Sequence, residues 1–322
     1  MSNYKQLTYE QRCQIEALIK RGLSQQLIAS TVGTSQSTIS RELRRNRGHR
    51  GYRHSQAQRK ADSRRKEAAK RVKMTDSLIS IVELKLREKW SPEQVSGWLL
   101  VEHDILISHE RLYQHIWEDK RAGGDLYCHL RRHGKRYQKR SSGKTSRGQI
   151  KNRTSIDGRP KEVDDKSRIG DWEIDTVIGK GHSGALVTIV ERVTQFTLSA
   201  QVPHKSAKAV TQATIALLTP YKAALKTITA DNGKEFAFHE EITEALGAVV
   251  YFANPYHSWE RGLNENTNGL LRQYWPKSTD FKKINNIEVD DVIDALNTRP
   301  RKTLGYKAPA DLMNEFLQSM AA

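Results

Sequence analysis

The chain has 322 residues, enough for two or three domains with sizeable cores. It carries 54 Lys and Arg against 37 Asp and Glu, and the formal net charge of +17 points to a polyanionic partner. No apolar run is long enough for a transmembrane helix, and the N-terminus lacks the apolar core of a secretory signal. The only cysteines, Cys13 and Cys128, exclude a disulfide framework. We therefore expect a soluble, cytoplasmic protein that does not bind membranes.

The excess positive charge lies entirely in the first half. Residues 1–160 contain 35 basic and 16 acidic side chains, whereas residues 161–322 contain 19 and 21. Two segments are especially basic: 41–73 has 14 Lys or Arg, and 131–153 has ten and no acid. Such segments can bind DNA phosphates but cannot read a base sequence by charge alone, and a merely solvated linker is the alternative for the second. The sequence predicts a DNA-binding front half and a near-neutral back half.

Three short helices are predicted near the N-terminus. Thr8 opens the first, Ser24 can cap the second and Ser35 the third, with a tight turn at Gly33 between the last two. The third helix has an outward polar and basic face that comprises Gln36, Ser37, Thr38, Arg41, Arg44 and Arg45. This pattern is typical of a helix-turn-helix, in which the start of the recognition helix meets base edges. A generic three-helix bundle with a charged face is the alternative.

A second set of helices repeats this pattern. A helix predicted over 76–89 is followed by Ser91-Pro92-Glu93-Gln94, which combines an N-cap, a proline at the first helical position and a capping-box partner. Ser108 opens a further helix, with Arg111 among its outward residues. This copy is less basic, so contact with protein competes with contact with DNA. We interpret it as a second DNA-binding helix-turn-helix.

From about residue 170 the pattern changes to β-rich runs. Strands are predicted over 171–178, 185–192, 196–202, 225–230 and 248–252. Helices are predicted over 205–218, 237–246, 264–275 and 287–297. Three consecutive strands followed by alternating helices and strands imply a mixed five-stranded sheet covered by helices.

Three carboxylates stand out in this half. Asp175 lies within the first strand among apolar residues, Asp231 follows the fourth strand, and Glu265 begins the helix after the fifth. Acids gathered in this way can hold two divalent ions, which activate the attacking oxygen and stabilise the leaving oxygen in phosphoryl transfer. Each acid also has an ordinary alternative: Asp231 as a turn residue, Glu265 as a helix-start acid. Asp171 lies on the same face of the predicted strand as Asp175, so spacing alone does not decide which of the two belongs to the site.

The motifs of both halves carry a family resemblance. The segments STISRELRRN, WSPEQVSGWL, GDWEIDTVIG, TADNGKEF and NENTNGLLRQYWPK resemble those of the IS-thirty family of DDE transposases, within the RNase H-like integrase superfamily. The resemblance implies that Asp175, Asp231 and Glu265 are catalytic and hold two Mg²⁺ ions, for which Mn²⁺ can substitute. It also implies DNA contacts by Arg261, four residues before Glu265, and Arg272, seven residues after it.

The organisation that follows is all-α helix-turn-helix domains before an α/β RNase H-like catalytic domain. The boundaries are a first helix-turn-helix at 1–50, a basic helical connector at 51–74, a second helix-turn-helix at 75–120, a basic linker at 121–165 and the catalytic domain at 166–322.

The resemblance implies a nucleoid-associated prokaryotic transposase. It would bind the terminal inverted repeats of its element and target DNA, cleave a phosphodiester and transfer the strand. A homodimer or higher multimer is expected in a synaptic complex, because two element ends must meet. The alternatives are a DNA-binding transcription regulator with a non-catalytic integrase-like domain, and a non-transposing RNase H-like nuclease.

Overall fold

The computed structural model describes four stretches of the chain: residues 6–67, 74–131, 150–254 and 257–321, with the backbone alone at 258 and 259. Most of the basic segment 131–153 lies outside these stretches, as does the end of segment 41–73. Within them, no helix combines the length and the apolar composition that crossing a bilayer requires.

The chain divides into two compact units, Met1–Lys73 and Met74–Ala322. The described part of the first unit contains the helices α1 (Tyr9–Lys20), α2 (Gln25–Val32), α3 (Gln36–Asn46) and α4 (His54–Glu67). The predicted caps are confirmed. Thr8 and Gln11 form a capping box, and the hydroxyls of Ser24 and Ser35 accept backbone N–H groups at the starts of α2 and α3. Gly33 ends α2 in the left-handed conformation that a residue without a Cβ adopts readily.

The core of the first unit includes α4. Ile15, Ile28 and Ile39, one from each of the first three helices, pack with Ala57 of α4 in one buried cluster. Helix α4 falls within the predicted basic connector at 51–74, and its exposed residues are strongly basic. Burial of Ala57 makes it the fourth helix of this unit, because a short three-helix motif leaves one side of its core uncovered.

The second unit begins with three more helices. They are α5 (Asp76–Arg87), α6 (Pro92–His103) and α7 (His109–Arg121), and the capping box at Ser91 and the Ser108 cap are confirmed. Their core contains Leu86, Leu99 and Leu112. Ile81 and Trp117, which helical spacing predicts inside, are 40% and 38% exposed. That prediction is wrong because helices of this length bury only one narrow stripe each.

The described residues of the second unit form one six-stranded mixed sheet. Its strands are β1 (Thr154–Ser155), β2 (Asp171–Ile178), β3 (Ala185–Glu191), β4 (Thr197–Val202), β5 (Thr227–Ala230) and β6 (Val249–Phe252), in the order β1-β6-β5-β2-β3-β4. Strands β2, β3 and β4 are antiparallel, and β5, β6 and β1 continue the sheet in parallel from β2. The predicted mixed α/β architecture is confirmed. The sixth strand was not predicted, because two residues in the 121–165 segment are too few to show a period of two.

Two layers of helices cover this sheet. The remaining helices are α8 (Lys161–Asp164), α9 (Ala207–Leu218), α10 (His239–Leu246), α11 (Gly262–Tyr274), α12 (Asn286–Asn297) and α13 (Pro309–Ala321). Ile174 of β2 packs with residues of α9, α10 and α13, whereas Val177 packs with residues of α11 and α12. Alternate residues of a strand point to opposite faces, so Asp175 lies on the same face as Val177, under α11.

Candidate active site

Parallel pairing of β2 with β5 brings two of the predicted acids together. The register joins Asp171 to Thr227 and Glu173 to Thr229, so the next step along the same face places Asp231 beside Asp175. The guanidinium of Arg261 lies between them: Nη2 is 3.5 Å from Asp231 Oδ2, and Nη1 is 3.7 Å from Asp175 Oδ2. Two carboxylates therefore face one cation position at the end of β5.

Asp175 is held by neighbours on three elements. Its Oδ1 accepts the Thr176 N–H at 2.8 Å, and its Oδ2 accepts the amide of Asn268, on α11, at 2.9 Å. Thr188 of β3, the cross-strand partner of Asp175, donates its hydroxyl to Asn268 at 3.1 Å. Burial raises the pKa of Asp175, and the nearby Asp231 acts in the same direction, whereas Arg261 opposes both.

Glu265 lies in the first turn of α11, where its carboxylate is exposed. It lines a cavity of about 850 Å³ together with Asp175 and Arg261. In the part of the chain that the structure describes, no three His, Cys, Asp or Glu side chains converge closely enough to form a metal site. Asp175 and Glu265 thus line one cavity, whereas Asp231 is joined to Asp175 through their common cation, Arg261.

Asp171 has a different environment from Asp175. It is 1% exposed, it forms an ion pair with Arg168 at 2.9 Å, and it accepts the hydroxyl of Thr227 at 2.7 Å. Four residues along a strand separate it from Asp175 by about 13 Å. Asp171 therefore ties the start of β2 to its surroundings and does not line the cavity.

Sequence reasoning missed a third acid on the same face of β2. Glu173 is buried between Arg192, whose Nη1 is 2.5 Å from its Oε1, and the N–H of Asn264 at the start of α11, which donates to its Oε2 at 3.2 Å. Burial raises the pKa of Glu173. This carboxylate satisfies a backbone N–H in the first turn of the helix that carries Glu265. The sequence signal that could have identified Glu173 is its position two residues before Asp175, which places both side chains on one face of the strand.

Arg272 lines the same cavity but bonds to the protein backbone. Its Nη2 donates to the Ile178 carbonyl, the last residue of β2, at 2.7 Å, and its guanidinium lies 5.4 Å from the ring centre of Phe281. Burial lowers the pKa of Arg272. These contacts fasten the C-terminal half of α11 to β2, and the DNA contact of Arg272 remains a prediction.

The outward face of α3 carries the other predicted DNA contacts. Arg41, Arg44 and Arg45 are exposed, and none forms an ion pair within residues 6–67. The polar residues at the start of the helix bond locally: Gln36 to Gln25, and both Ser37 and Thr38 to the cap Ser35. In the second unit, Arg111 on α7 is 3.4 Å from Glu118. The structure groups the α3 residues on one helix and places Arg111 on another.

Known proteins resemble the chain along nearly its whole length. The transposase for insertion sequence element IS4351 of Bacteroides fragilis is 44% identical over 97% of this chain and 97% of its own. The transposase InsI for insertion sequence element IS30A of Escherichia coli is 38% identical over 95% of this chain and 83% of its own. A family model described as a helix-turn-helix domain matches residues 3–46. The predicted helix-turn-helix at the front of the chain is thereby confirmed.

Among solved structures, the catalytic core domain of BIV integrase aligns with 48% of this chain and 99% of that domain. The aligned residues are 19% identical and the TM-score is 0.38.

Proposed function

This chain belongs to the IS-thirty (IS30) family of insertion-sequence transposases, and we propose that it cleaves DNA at the terminal inverted repeats of its own element and transfers the strand. The observation that carries the proposed chemistry is the pair Asp175 and Asp231, which face one cation position in the cavity that Glu265 also lines. A regulator that catalyses no reaction has no need for two carboxylates on either side of an arginine, because partly burying such charges raises the free energy of the folded protein.

The donor set fits divalent metal ions. Asp175 and Asp231 already converge on a cationic group, and carboxylate oxygens are the ligands that Mg²⁺ prefers. With Glu265 they would hold two Mg²⁺ ions, for which Mn²⁺ can substitute. When bound, such ions activate the attacking oxygen and stabilise the leaving oxygen of a phosphodiester.

The chain's own residues orient this site. Asn268 and the Thr176 N–H hold the Asp175 carboxylate, and Glu173 fixes the start of the helix that carries Glu265. Four cationic side chains also line the cavity and attract DNA phosphates to it: Arg131, Arg261, Arg272 and Lys277.

The proposed reaction consists of two displacements at phosphorus. In the first, water forms a P–O bond at the element end and a 3′-OH leaves. In the second, that 3′-OH attacks a phosphodiester of target DNA and displaces another oxygen, which takes up a proton. Since two element ends must react together, we expect the working species to be a homodimer or higher multimer on double-stranded DNA.

A cleavage assay tests the proposal. The purified protein is incubated with labelled element-end DNA and target DNA, in Mg²⁺, in Mn²⁺ and in EDTA. We expect metal-dependent nicking followed by joining to the target. Binding without nicking would support a transcription regulator, and nicking without joining would support a non-transposing nuclease.

A further inference from the structure

Helices α5–α7 pack directly on the catalytic half within the second unit. The Gln94 amide donates to the Pro300 carbonyl at 2.9 Å, and Lys302 is 2.6 Å from Glu93. A Cβ added to Gly97 would lie 2.1 Å from the Tyr306 ring, so α6 and the loop after α12 are in close contact. We call the boundary formed by α6, α11 and the loop after α12 the seam.

Buried positive charge without a carboxylate partner accumulates along this seam. Arg299 is 1% exposed and Arg301 is 8% exposed, and neither forms an ion pair with any described acid. Their hydrogen bonds go to neutral oxygens: Arg299 donates to the Tyr274 hydroxyl at 2.7 Å, and Arg301 to the Leu296 carbonyl at 2.9 Å. The Nε atoms of both arginines have no hydrogen-bond partner. Burial lowers the pKa of Arg299, and it lowers that of Arg301 to about 10.

A buried guanidinium that no carboxylate compensates raises the free energy of the folded protein. Arg299 repels both Arg301 and Lys89, and burial together with Arg299 lowers the pKa of Lys89. An anion supplied from outside the chain would relieve this repulsion. Because the front half and the family point to DNA, the anion that fits is the phosphate backbone.

Two cations on the solvent side of the seam can reach such a backbone. Lys89 lines a cavity of about 390 Å³, with its ammonium 3.8 Å from the centre of the Tyr274 ring. Arg131 is exposed, donates to the Asn266 side chain at 3.2 Å and also lines the catalytic cavity. The Gln273 amide donates to the Lys89 carbonyl at 3.4 Å, which joins Lys89 to α11.

Helix α11 runs from the catalytic cavity to the seam, so its length gives the distance between the two sites. Asn266 and Gln273, which contact Arg131 and Lys89, are seven residues apart and therefore share one face of the helix. The rise from Glu265 to Gln273 is about 12 Å at roughly 1.5 Å per residue. One strand of B-DNA advances by about 3.4 Å per nucleotide, so this rise spans about three or four nucleotides.

We propose that the seam is a binding site for the DNA backbone, which holds phosphates about three or four nucleotides from the reacting phosphodiester. Lys89 contacts these phosphates, and Arg131 contacts the backbone between them and the catalytic cavity. Arg299 and Arg301 supply positive potential from behind. The contacts proposed here read no bases, because an ion pair with a phosphate carries no sequence information. The distance between the seam and the reacting phosphodiester rests on the proposed function, whereas the binding of phosphates at the seam does not depend on it.

Salt-dependent binding of the full chain to a duplex element end tests the proposal. The variants are Lys89→Gln, Arg131→Gln and the double variant. The control is Lys222→Gln: this exposed lysine contacts the Ala245 carbonyl of α10, in the helix layer opposite α11. The plot of log K against log[salt] should become shallower by about one unit in each single variant and about two in the double variant. Affinity should fall similarly for unrelated sequences, and the control should match the wild type.

A double variant with the slope and affinity of the wild type would overturn the proposal. Thermal unfolding of each variant shows whether it is folded, and Arg131→Gln alone changes only an exposed side chain. Cleavage is scored separately. If the wild type binds but never nicks the DNA, the proposed function fails while the slopes still report on the seam. If the wild type nicks the DNA and the double variant keeps the wild-type slope, the seam proposal is overturned and the proposed function is not.

Discussion

Arg261 lies between the carboxylates of Asp175 and Asp231, yet two of its nitrogens, Nε and Nη1, are buried without a hydrogen-bond partner. Charge therefore holds the guanidinium in place more than hydrogen bonding does. A cation in this position compensates two acids that would otherwise repel each other. It also lies where a divalent ion would approach both carboxylates, so arginine and metal compete for the same oxygens.

Removing Arg261 should therefore strengthen metal binding in the absence of DNA. We expect Arg261→Gln to bind Mn²⁺ several-fold more tightly than the wild type, because a positive charge beside two ligand carboxylates is lost. Calorimetric titration of the DNA-free protein measures this affinity. Arg261→Lys, which keeps the charge, serves as the control and should stay close to the wild type. An unchanged or weaker affinity in Arg261→Gln would contradict this interpretation.

Glu265 is the proposed metal ligand that the structure leaves most exposed. We expect Glu265→Gln to bind element ends normally while cleavage falls by about a thousandfold or more, because a metal site contributes several kcal/mol and an amide is a neutral ligand. Gel-shift and nicking assays on the same DNA separate the two effects. Glu244→Gln, an exposed substitution on α10, should leave both unchanged. Full cleavage by Glu265→Gln would remove this residue from the site.

Helix α11 is the element that assembles the cavity. Glu265, Asn268 and Arg272 recur at spacings of three and four residues, so they lie along one side of the helix, towards β2. Glu173 bonds to its first turn, and Arg272 bonds to the end of β2 near its last turn. With both ends attached to the same strand, the helix has little freedom to slide, and the position of Glu265 relative to Asp175 is constrained.

Helix α3 is the element that should recognise the DNA sequence. We expect Arg44→Ala to reduce affinity for element ends by roughly fivefold to a hundredfold, because a base contact contributes about 1–3 kcal/mol. Arg21→Ala, an exposed substitution beside the C-terminus of α1, removes one positive charge elsewhere in the same unit. Competition binding with specific and unrelated DNA measures both variants. If Arg44→Ala loses neither affinity nor sequence preference, the recognition helix lies elsewhere.

The distribution of charge over the whole chain fits the roles proposed for its halves, DNA binding in the first and catalysis in the second. The basic first half holds the helix-turn-helix that the family model matches and helices α5–α7, and the second half, with 19 basic and 21 acidic residues, holds strands β2–β6 and the three predicted acids. Acids of the second half face a cation at the cavity, whereas the exposed arginines of α3 have no acidic partner within residues 6–67. We therefore expect long-range attraction of DNA to come mainly from the front half.

The two compact units should unfold independently. We expect scanning calorimetry of the whole chain to show two transitions, because each unit has its own core. Ile15→Ala removes a fully buried side chain and should lower one midpoint by 8 °C or more, from a loss of about 2–5 kcal/mol. Ile242→Ala is the matched change in the other unit and should lower only the second midpoint. A common shift of both transitions would show that the units unfold as one.

Much of the local structure could be predicted from the sequence. Caps such as Thr8, Ser91 and Ser108 were identified because a hydroxyl three residues before a free backbone N–H is a local signal. Strand β2 was predicted with its observed bounds, since β-rich residues between turns determine it locally. The family motifs also identified the three acids of the candidate site, whose metal-binding role remains a prediction.

Other features depend on residues that are distant in the chain, and only the tertiary structure decided them. Asp171 and Asp175 are equivalent by spacing, but the pairing of β2 with β5 buries the first beside Arg168 and places the second beside Asp231. Asn268 and the seam have no local signature, because their partners lie tens to hundreds of residues away. Short-range propensities act within a few residues, whereas strand register and helix packing decide which distant charges meet.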